Sequence, residues 1–461
     1  GIGSNVFQGC SGLERAEFRG GVEGIPSYAF DGCGSMAELV LPETLKTIGL
    51  CAFQGCSSLA GLTLPASVTG IDGMAFDGCR DLASIAVAAE NEAFASVDGA
   101  LYSKNMAELV CCPPNHPGGG QGVFTVPEGV SALKKHAFQG SRNIKKVELP
   151  QTLSMLENWE DVFSYCTSLE EIAVAEGNTV FSSENGVLYD SGKTRLVCWP
   201  GAKPAEGVVL PETVETIWFA AFKGSNISSI ALPGHVKSIG PNAFTDCGNL
   251  TEITLAQGLE NIGEYAFSGC RSLAGITLPK SLSLVGPETF RGCTGLEGIQ
   301  AEEGNPQYAS VQGILYNGDQ TELLLCPEGK SGELEVPERT ARISFSAFSG
   351  CGKLGKMRVP ESVLFIETAA FSGCSPELAL RAGKASYAED YAKYYKMKLE
   401  TVGEHETHDN KVLLEEGVTC TTGGKKVSVC AACGQVTEET APPAGHTEVE
   451  DPAVPGTCLE P

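Results

Sequence analysis

The chain has 461 residues, 42% of them hydrophobic, with 32 basic against 57 acidic residues and a formal net charge of −25. A field of that sign repels phosphate backbones and anionic headgroups, so nucleic acid and anionic membrane surfaces are excluded as expected partners. No run approaches the roughly 18 continuous apolar residues of a membrane span.

The chain opens inside a pattern that it then copies. Gly1-Ile2-Gly3 matches Thr47-Ile48-Gly49, so a longer protein is expected, with any signal or anchor outside this stretch. The clearest unit runs from Leu59 to Cys79, with apolar residues at Leu59, Leu62, Leu64, Val68, Ile71, Ala75, Phe76 and Cys79, and Pro65 after the third. The frame restarts at Leu82, 23 residues after Leu59. It appears again at Leu39, Leu41, Leu45, Ile48 and Phe53, and at Leu273, Ile276, Leu278, Leu282, Val285 and Phe290. Self-similarity at such a period marks a repeat architecture, because one unit cannot bury its apolar side alone.

Phenylalanines at 7, 30, 53, 76, 138, 163, 222, 244, 267, 290, 348 and 371 mark twelve units. The Leu-x-x-Ile-x-Leu-Pro segment predicts a short strand with Ile and Leu inward, closed by a proline that cannot continue the ladder. Leu-x-x-Ile-Gly predicts a second, shorter extended piece. Ala-Phe-x-Gly-Cys predicts a single helical or 3₁₀ turn.

Of 19 cysteines, Cys10, Cys33, Cys56, Cys79, Cys166, Cys247, Cys270, Cys293, Cys351 and Cys374 share one slot, three after the phenylalanine. Stacked side chains about 4.8 Å apart do not converge as a disulfide requires. Ser141 and Ser225 fill the same slot elsewhere. A ladder of reduced, buried thiols acting as small hydrophobes is expected.

Three longer gaps resemble one another, near residues 91–113, 178–200 and 305–327. Each runs from an asparagine (Asn91, Asn178, Asn305) to Gly-x-Leu-Tyr and then to Cys112-Pro113, Cys198-Trp199-Pro200 or Cys326-Pro327. With Asn185-Gly186 and Asn317-Gly318 as turn dipeptides, these islands predict hairpins built into wider coils. Pro113–Gly120 reads as an exposed loop, and Asn158-Trp159-Glu160-Asp161 as a small insertion. The repeats occupy residues 1–382. A helix follows over 383–400, with Ser386 as N-cap and Tyr387, Tyr391 and Tyr395 on one face, expected to close the stack.

Residues 401–445 form a different module, and 446–461 begin a second copy. His408 precedes Cys420, and His446 precedes Cys458, by the same 12 residues. With Cys430-Ala431-Ala432-Cys433, the residues His408, Cys420, Cys430 and Cys433 match a tetrahedral structural zinc shell, His446 being an alternative ligand. A disulfide through Cys430–Cys433 or Cys420, or a tail with incidental cysteines, are the competing readings.

The repeat Ala-Phe-x-Gly-Cys-x-x-Leu-x-x-Ile-x-Leu-Pro-x-x-Leu-x-x-Ile-Gly resembles the BspA-like leucine-rich repeat proteins, over roughly residues 1–400. The resemblance implies a right-handed leucine-rich repeat solenoid, β-rich and α/β by convention, with hairpin islands and a C-terminal capping helix. It also implies an exported, cell-surface adhesion protein of a host-associated bacterium, binding host matrix or cell-surface proteins without catalysis. A structural spacer and a binding module of a larger extracellular enzyme are the alternatives.

In each strand the residue between Ile and Leu points outward. These positions include Val40, Thr63, Ala86, Thr254, Thr277 and Gln300, a low-charge stripe in an acidic protein. The stripe reads either as a protein-binding face or as residues that simply suit exposed strands. No nucleophile setting emerges. His116 and His136 are expected to face solvent, and Gly118-Gly119-Gly120 lacks the continuation of a phosphate loop.

Overall fold

A computed structural model describes residues 3–18, 20–119, 121–157, 161–204 and 210–402, with the backbone of 410–416, 424–430 and 436–441. Two compact units are present, Gly1–Gly313 with Pro327–Gly329, and Ile314–Cys326 with Lys330–Pro461. Each is built from β-solenoid coils.

In the first unit, the Leu-x-x-Ile-x-Leu-Pro segments form short strands that pair in parallel and in register. Gly61–Leu64 pairs with Ser84–Val87, and Gly275–Leu278 with Gly298–Ala301. Alternation sends Leu62 and Leu64 inward and leaves Thr63 exposed. The two-residue strands Gly24–Ile25, Thr47–Ile48 and Gly70–Ile71 make a second parallel ladder one corner further on.

The expected helical turn at Ala-Phe-x-Gly-Cys is not formed. The position two after the phenylalanine is left-handed in all twelve turns, from Gly9 (φ 74) to Gly373 (φ 71). The position two before it is left-handed in most, as at Tyr28 (φ 59) and Tyr265 (φ 54). Left-handed residues on both sides stop a helix from propagating. They also aim alternate N–H groups at the neighbouring coil. Tyr28, Phe30 and Gly32 donate to Leu50 O, Ala52 O and Gln54 O at 2.9, 2.9 and 2.8 Å, while Asp31 and Cys33 donate within their own turn. Two non-glycine residues hold the later left-handed slot, Tyr165 and Asp246, and the Tyr165 hydroxyl donates to Asp246 Oδ2 at 2.5 Å.

This hand-off stacks the rings. Phe222–Phe244, Phe244–Phe267 and Phe267–Phe290 lie 4.5, 5.1 and 5.7 Å apart, within 13° of parallel. Such aromatic pairs contribute about 0.5–1.5 kcal/mol each beyond burial.

The slot cysteines are free thiols, mostly buried, although Cys10 is exposed. They are more than small hydrophobes. Cys56, Cys79, Cys270 and Cys293 donate to the carbonyls of Phe30, Phe53, Phe244 and Phe267 in the preceding coil, at 3.3, 3.1, 3.1 and 3.0 Å. Each such phenylalanine carbonyl therefore takes two bonds, one from its own turn and one from the next coil's thiol. Burial pushes the Cys56 thiol up to about 12.

The islands are antiparallel hairpins. Phe94–Val97, Ala100–Ser103 and Glu108–Cys111 pair in sequence, as do Phe181–Glu184, Val187–Asp190 and Arg195–Cys198. Asn185-Gly186 forms a two-residue turn with φ of 50° and 75°. Each island asparagine is a buried or half-buried clamp. Asn91 Nδ2 donates to Pro65 O and Val68 O, and its Oδ1 accepts from Ala93 and Phe94 N–H. Asn178 and Asn305 repeat these four bonds with Pro150, Leu153, Val180 and Phe181, and with Pro279, Leu282, Gln307 and Tyr308. The islands also supply the missing ring positions. Cys112 and Trp199 N–H donate to Ala137 O and Ala221 O, as a phenylalanine does, and Trp199 stacks on Phe222 at 5.2 Å.

Two expectations fail around residue 116. Pro113, Pro114 and His116 are buried rather than in an exposed loop. His116 Nδ1 accepts from Gly118 N–H at 3.1 Å, so Nε2 carries the proton that it gives to Asp98 O at 2.7 Å. The loop is tied into the stack by Asn115 N–H to Leu82 O and Arg142 N–H to Pro114 O. His136, expected in solvent, is only 8% exposed and occupies a left-handed turn position (φ 64).

In the second unit, Ile314–Asn317 and Glu322–Leu325 form the third island's described hairpin. Asn317-Gly318 is not a two-residue turn. It starts a four-residue connection in which Asn317 Oδ1 accepts from Glu322 N–H. Cys326 takes the ring position, donating to Ala347 O. Strands Gly332–Glu335, Leu354–Arg358, Ala379–Gly383 and Lys398–Val402 make a parallel sheet.

The helix covers Tyr387–Tyr394, less than the expected 383–400, and Ser386 accepts from Glu389 N–H as N-cap. Glu389 returns a bond to Ala385 N–H, a reciprocal pair related to the capping box. Tyr391, Ala388 and Ala392 face inward, while Tyr395 is the C-cap and is 45% exposed. The helix covers the last phenylalanine, Phe371, through Tyr391. Beside it, Lys398–Val402 adds one further strand to the sheet.

Replacing Asn91 by Ala removes all four of these bonds, so a loss of about 3 kcal/mol is expected in urea unfolding. Asn91→Asp keeps the acceptors, loses both donations, and is expected to cost at least as much. Peptide-resolved alkylation at pH 8 is expected to label Cys10 in the native protein, and Cys56 and Cys166 only after denaturation, since the thiolate is the nucleophile.

Candidate protein-interaction face

In-register pairing turns the outward strand positions into a row. In the first unit it reads Glu17 and Val40, then Thr63 and Ala86, then Thr125, Glu148 and Ala173, then Ala231 and Thr254, then Thr277 and Gln300. Val40, Thr63, Ala86, Thr254, Thr277 and Gln300 are all exposed. Only Glu17 and Glu148 in this row are charged.

The row is not continuous. After Ala86 and after Ala173 an island hairpin tip takes the strand edge, with Ile85 and Ile172 N–H donating to Gly99 O and Gly186 O at 2.9 Å each. Sequence spacing did not show this, because the tip glycine carbonyl acts through its backbone. Ile299 N–H meets Gly313 O in the same way. The face is therefore a set of short patches framed by hairpin tips.

The last patch, from Ala231 to Gln300, is flanked by Gly275, which is exposed, and by Gly298, which is half-buried against the hairpin-tip Gly313. A recess of about 670 Å³ opens beside Ala231 and Thr254, bordered by Trp199, Leu210, Ile227 and Glu252. Residues 205–209, near this recess in sequence, lie outside the described residues.

The equivalent row in the second unit is the opposite in chemistry. It reads Glu335, Arg358, Arg381 and Glu400, every one charged. Arg358 pairs with Glu335 and with Glu338 (3.0 Å), and Glu400 with Lys356 (2.9 Å) and Arg381 (3.3 Å). Exposed pairs of this kind contribute little stability. They leave the second unit's strand face mutually neutralised.

No group of His, Cys, Asp or Glu among the described residues is arranged to hold a metal. Of the expected zinc ligands, His408, Cys420, Cys433 and His446 lie outside the described residues, and Cys430 ends the strand Gly424–Cys430, described by backbone only. That strand lies between Asn410–Glu416 and Val436–Ala441 in an antiparallel sheet. No helix among the described residues is long and apolar enough to cross a membrane.

No curated protein matches the chain. Among solved structures, the pneumococcal vaccine antigen PcpA is similar at 19% identity and a TM-score of 0.41, over 84% of this chain and 78% of that one. A leucine-rich repeat protein from Eubacterium ventriosum is similar at 21% identity and 0.42, over 76% and 85%. A leucine rich cell surface protein from Faecalibacterium prausnitzii gives 20% and 0.37, over 83% and 78%. Six copies of the BspA type leucine rich repeat region match residues 1–104, 123–192, 198–309 and 329–403, well over half of the chain. The chain belongs to the BspA-type leucine-rich repeat family.

Proposed function

We propose that this protein is an exported, cell-surface interaction module that binds a protein partner through the strand face of its first unit and carries out no catalysis. The observation that carries this reading is the exposed, almost uncharged row through Val40, Thr63, Ala86, Thr254, Thr277 and Gln300, in a chain of net charge −25. A leucine-rich repeat fold is suited to protein binding because its strands present one residue per coil at fixed spacing. Depletion of charge at the centre of a patch is the compositional mark of protein interfaces. Family membership and the cell-surface name of one structural relative support the location. Host matrix or host-cell surface proteins are the partner class.

The test is binding of the purified chain to immobilised matrix proteins and to epithelial cells. Saturable binding is expected, and Thr254→Arg with Thr277→Arg is expected to abolish it. Both side chains are exposed, so the unfolding free energy should change by no more than about 0.5 kcal/mol. Unchanged binding by the double variant excludes this face.

For the tail, the shared 12-residue spacing of His408–Cys420 and His446–Cys458 favours a structural zinc on His408, Cys420, Cys430 and Cys433, with His446 as alternative. About one zinc per complete module is expected in protein purified under reducing conditions. Metal-free protein with these thiols joined as disulfides rules it out.

A further inference from the structure

In the second unit the turn ladder passes from Phe348 and Gly350 to the next turn and stops there. Phe348 and Gly350 N–H donate to Ala370 O and Ser372 O, both at 2.8 Å. In the following turn the equivalent N–H groups of Phe371 and Gly373 have no acceptor among the described residues. The reason lies in the sequence. After Cys374 the chain runs into the strand Ala379–Gly383 and the helix Tyr387–Tyr394, not into another phenylalanine turn.

The side chains are left unfinished in the same way. Phe371 stacks on Phe348 at 5.0 Å and 9°, but Tyr391 meets it only edge-on, at 5.8 Å and 61°. Phe348 is fully buried, whereas Phe371 is half-buried. The carbonyls of Phe30, Phe53 and Phe348 each accept a thiol from the next coil. Phe371 O has only Cys374 N–H, at 3.2 Å. A groove of about 510 Å³ lies here, lined by Phe371, Ser372, Cys374, Leu378, Tyr391 and Met397.

Charge narrows the occupant. Lys396 also lines the groove and has no acidic partner among the described residues, while Lys393 is held by Glu389 at 3.0 Å. Two aimed N–H groups and a free ammonium make this groove electropositive in an acidic chain. They call for carbonyl oxygens at alternate residues and for a carboxylate. The half-covered Phe371 calls for a second ring.

We propose that the turn Ala369–Cys374 and its groove form a docking site for a segment of a partner polypeptide with the chemistry Ala-Phe-Asp-Gly. Such a segment supplies the acceptors, the ring and the negative charge together. The chain's own Ala29–Gly32 and Ala75–Gly78 have this sequence, and they dock on neighbouring turns inside the first unit. The site is separate from the strand face and does not depend on it.

The experiment uses the full chain and an acetylated, amidated peptide of residues 27–34, read by calorimetry and by hydrogen exchange of residues 369–374. Saturable binding is expected, with slowed exchange at Phe371 and Gly373. A peptide with Phe30→Ala should bind at least tenfold more weakly. Ser372→Glu in the protein places an acid where Asp31 and Asp77 stand in other turns, so the fold tolerates it, and it should weaken binding at least fivefold. The Thr254→Arg, Thr277→Arg variant should bind as wild type. Absence of binding, equal binding of the two peptides, unprotected amides, indifference to Ser372→Glu, or loss in the strand-face variant would each overturn the proposal.

Discussion

Everything in this chain hangs on one repeated backbone exchange, in which a turn keeps alternate N–H groups for itself and gives the others to the coil above. A 23-residue coil has too little apolar surface to fold alone and too many polar backbone groups to stay dry. The left-handed residues flanking each phenylalanine solve both difficulties together, as at Tyr28 and Gly32 around Phe30. They turn the chain sharply and point three donors along the stack, so that rings, thiols and leucines of successive coils are forced into columns. The phenylalanine ring is the visible mark of the turn. The hydrogen bonds beneath it set the spacing at which the rings meet.

Most of this geometry was legible from residue spacing, because burial imposes one residue type at one interval. Leu62 and Leu64 point inward and Thr63 outward for no deeper reason than strand alternation. What escaped the sequence depends on the backbone or on single substitutions. The thiol donation from Cys56 to Phe30 O is invisible in a pattern that only asks for a small side chain. Cys112, Trp199 and Cys326 stand where phenylalanine is expected, and their place shows in the acceptor that each N–H finds. Asn91, Asn178 and Asn305 were noticed as landmarks, yet their role comes from four bonds that no spacing encodes. His116 and His136 looked exposed because polar residues in variable places usually are. Their burial follows from the loop and the turn being built into the stack.

The candidate face was legible in part as well. Its residues are exposed as alternation requires, but its division into patches comes from hairpin tips whose glycine carbonyls cover the strand edges. The contrast between the two units is sharper than the sequence alone suggested. One presents threonine, alanine and glutamine, and the other presents arginine and glutamate locked in mutual pairs. A partner meeting the first unit has few charges to desolvate, whereas one meeting the second must first compete with internal ion pairs.

The one-way direction of the backbone exchange has a consequence for how such chains change over generations. Because the coils of Phe30 and Phe53 donate upward and accept from below at equivalent atoms, a recombination event that deletes or duplicates 23 residues joins matching surfaces. A loss of any other length would bring left-handed turns against strands and leave donors facing donors. Inheritance can therefore lengthen or shorten such a stretch in whole coils, while the islands, each clamped to the coil before it by its asparagine, travel only with the partner they grip.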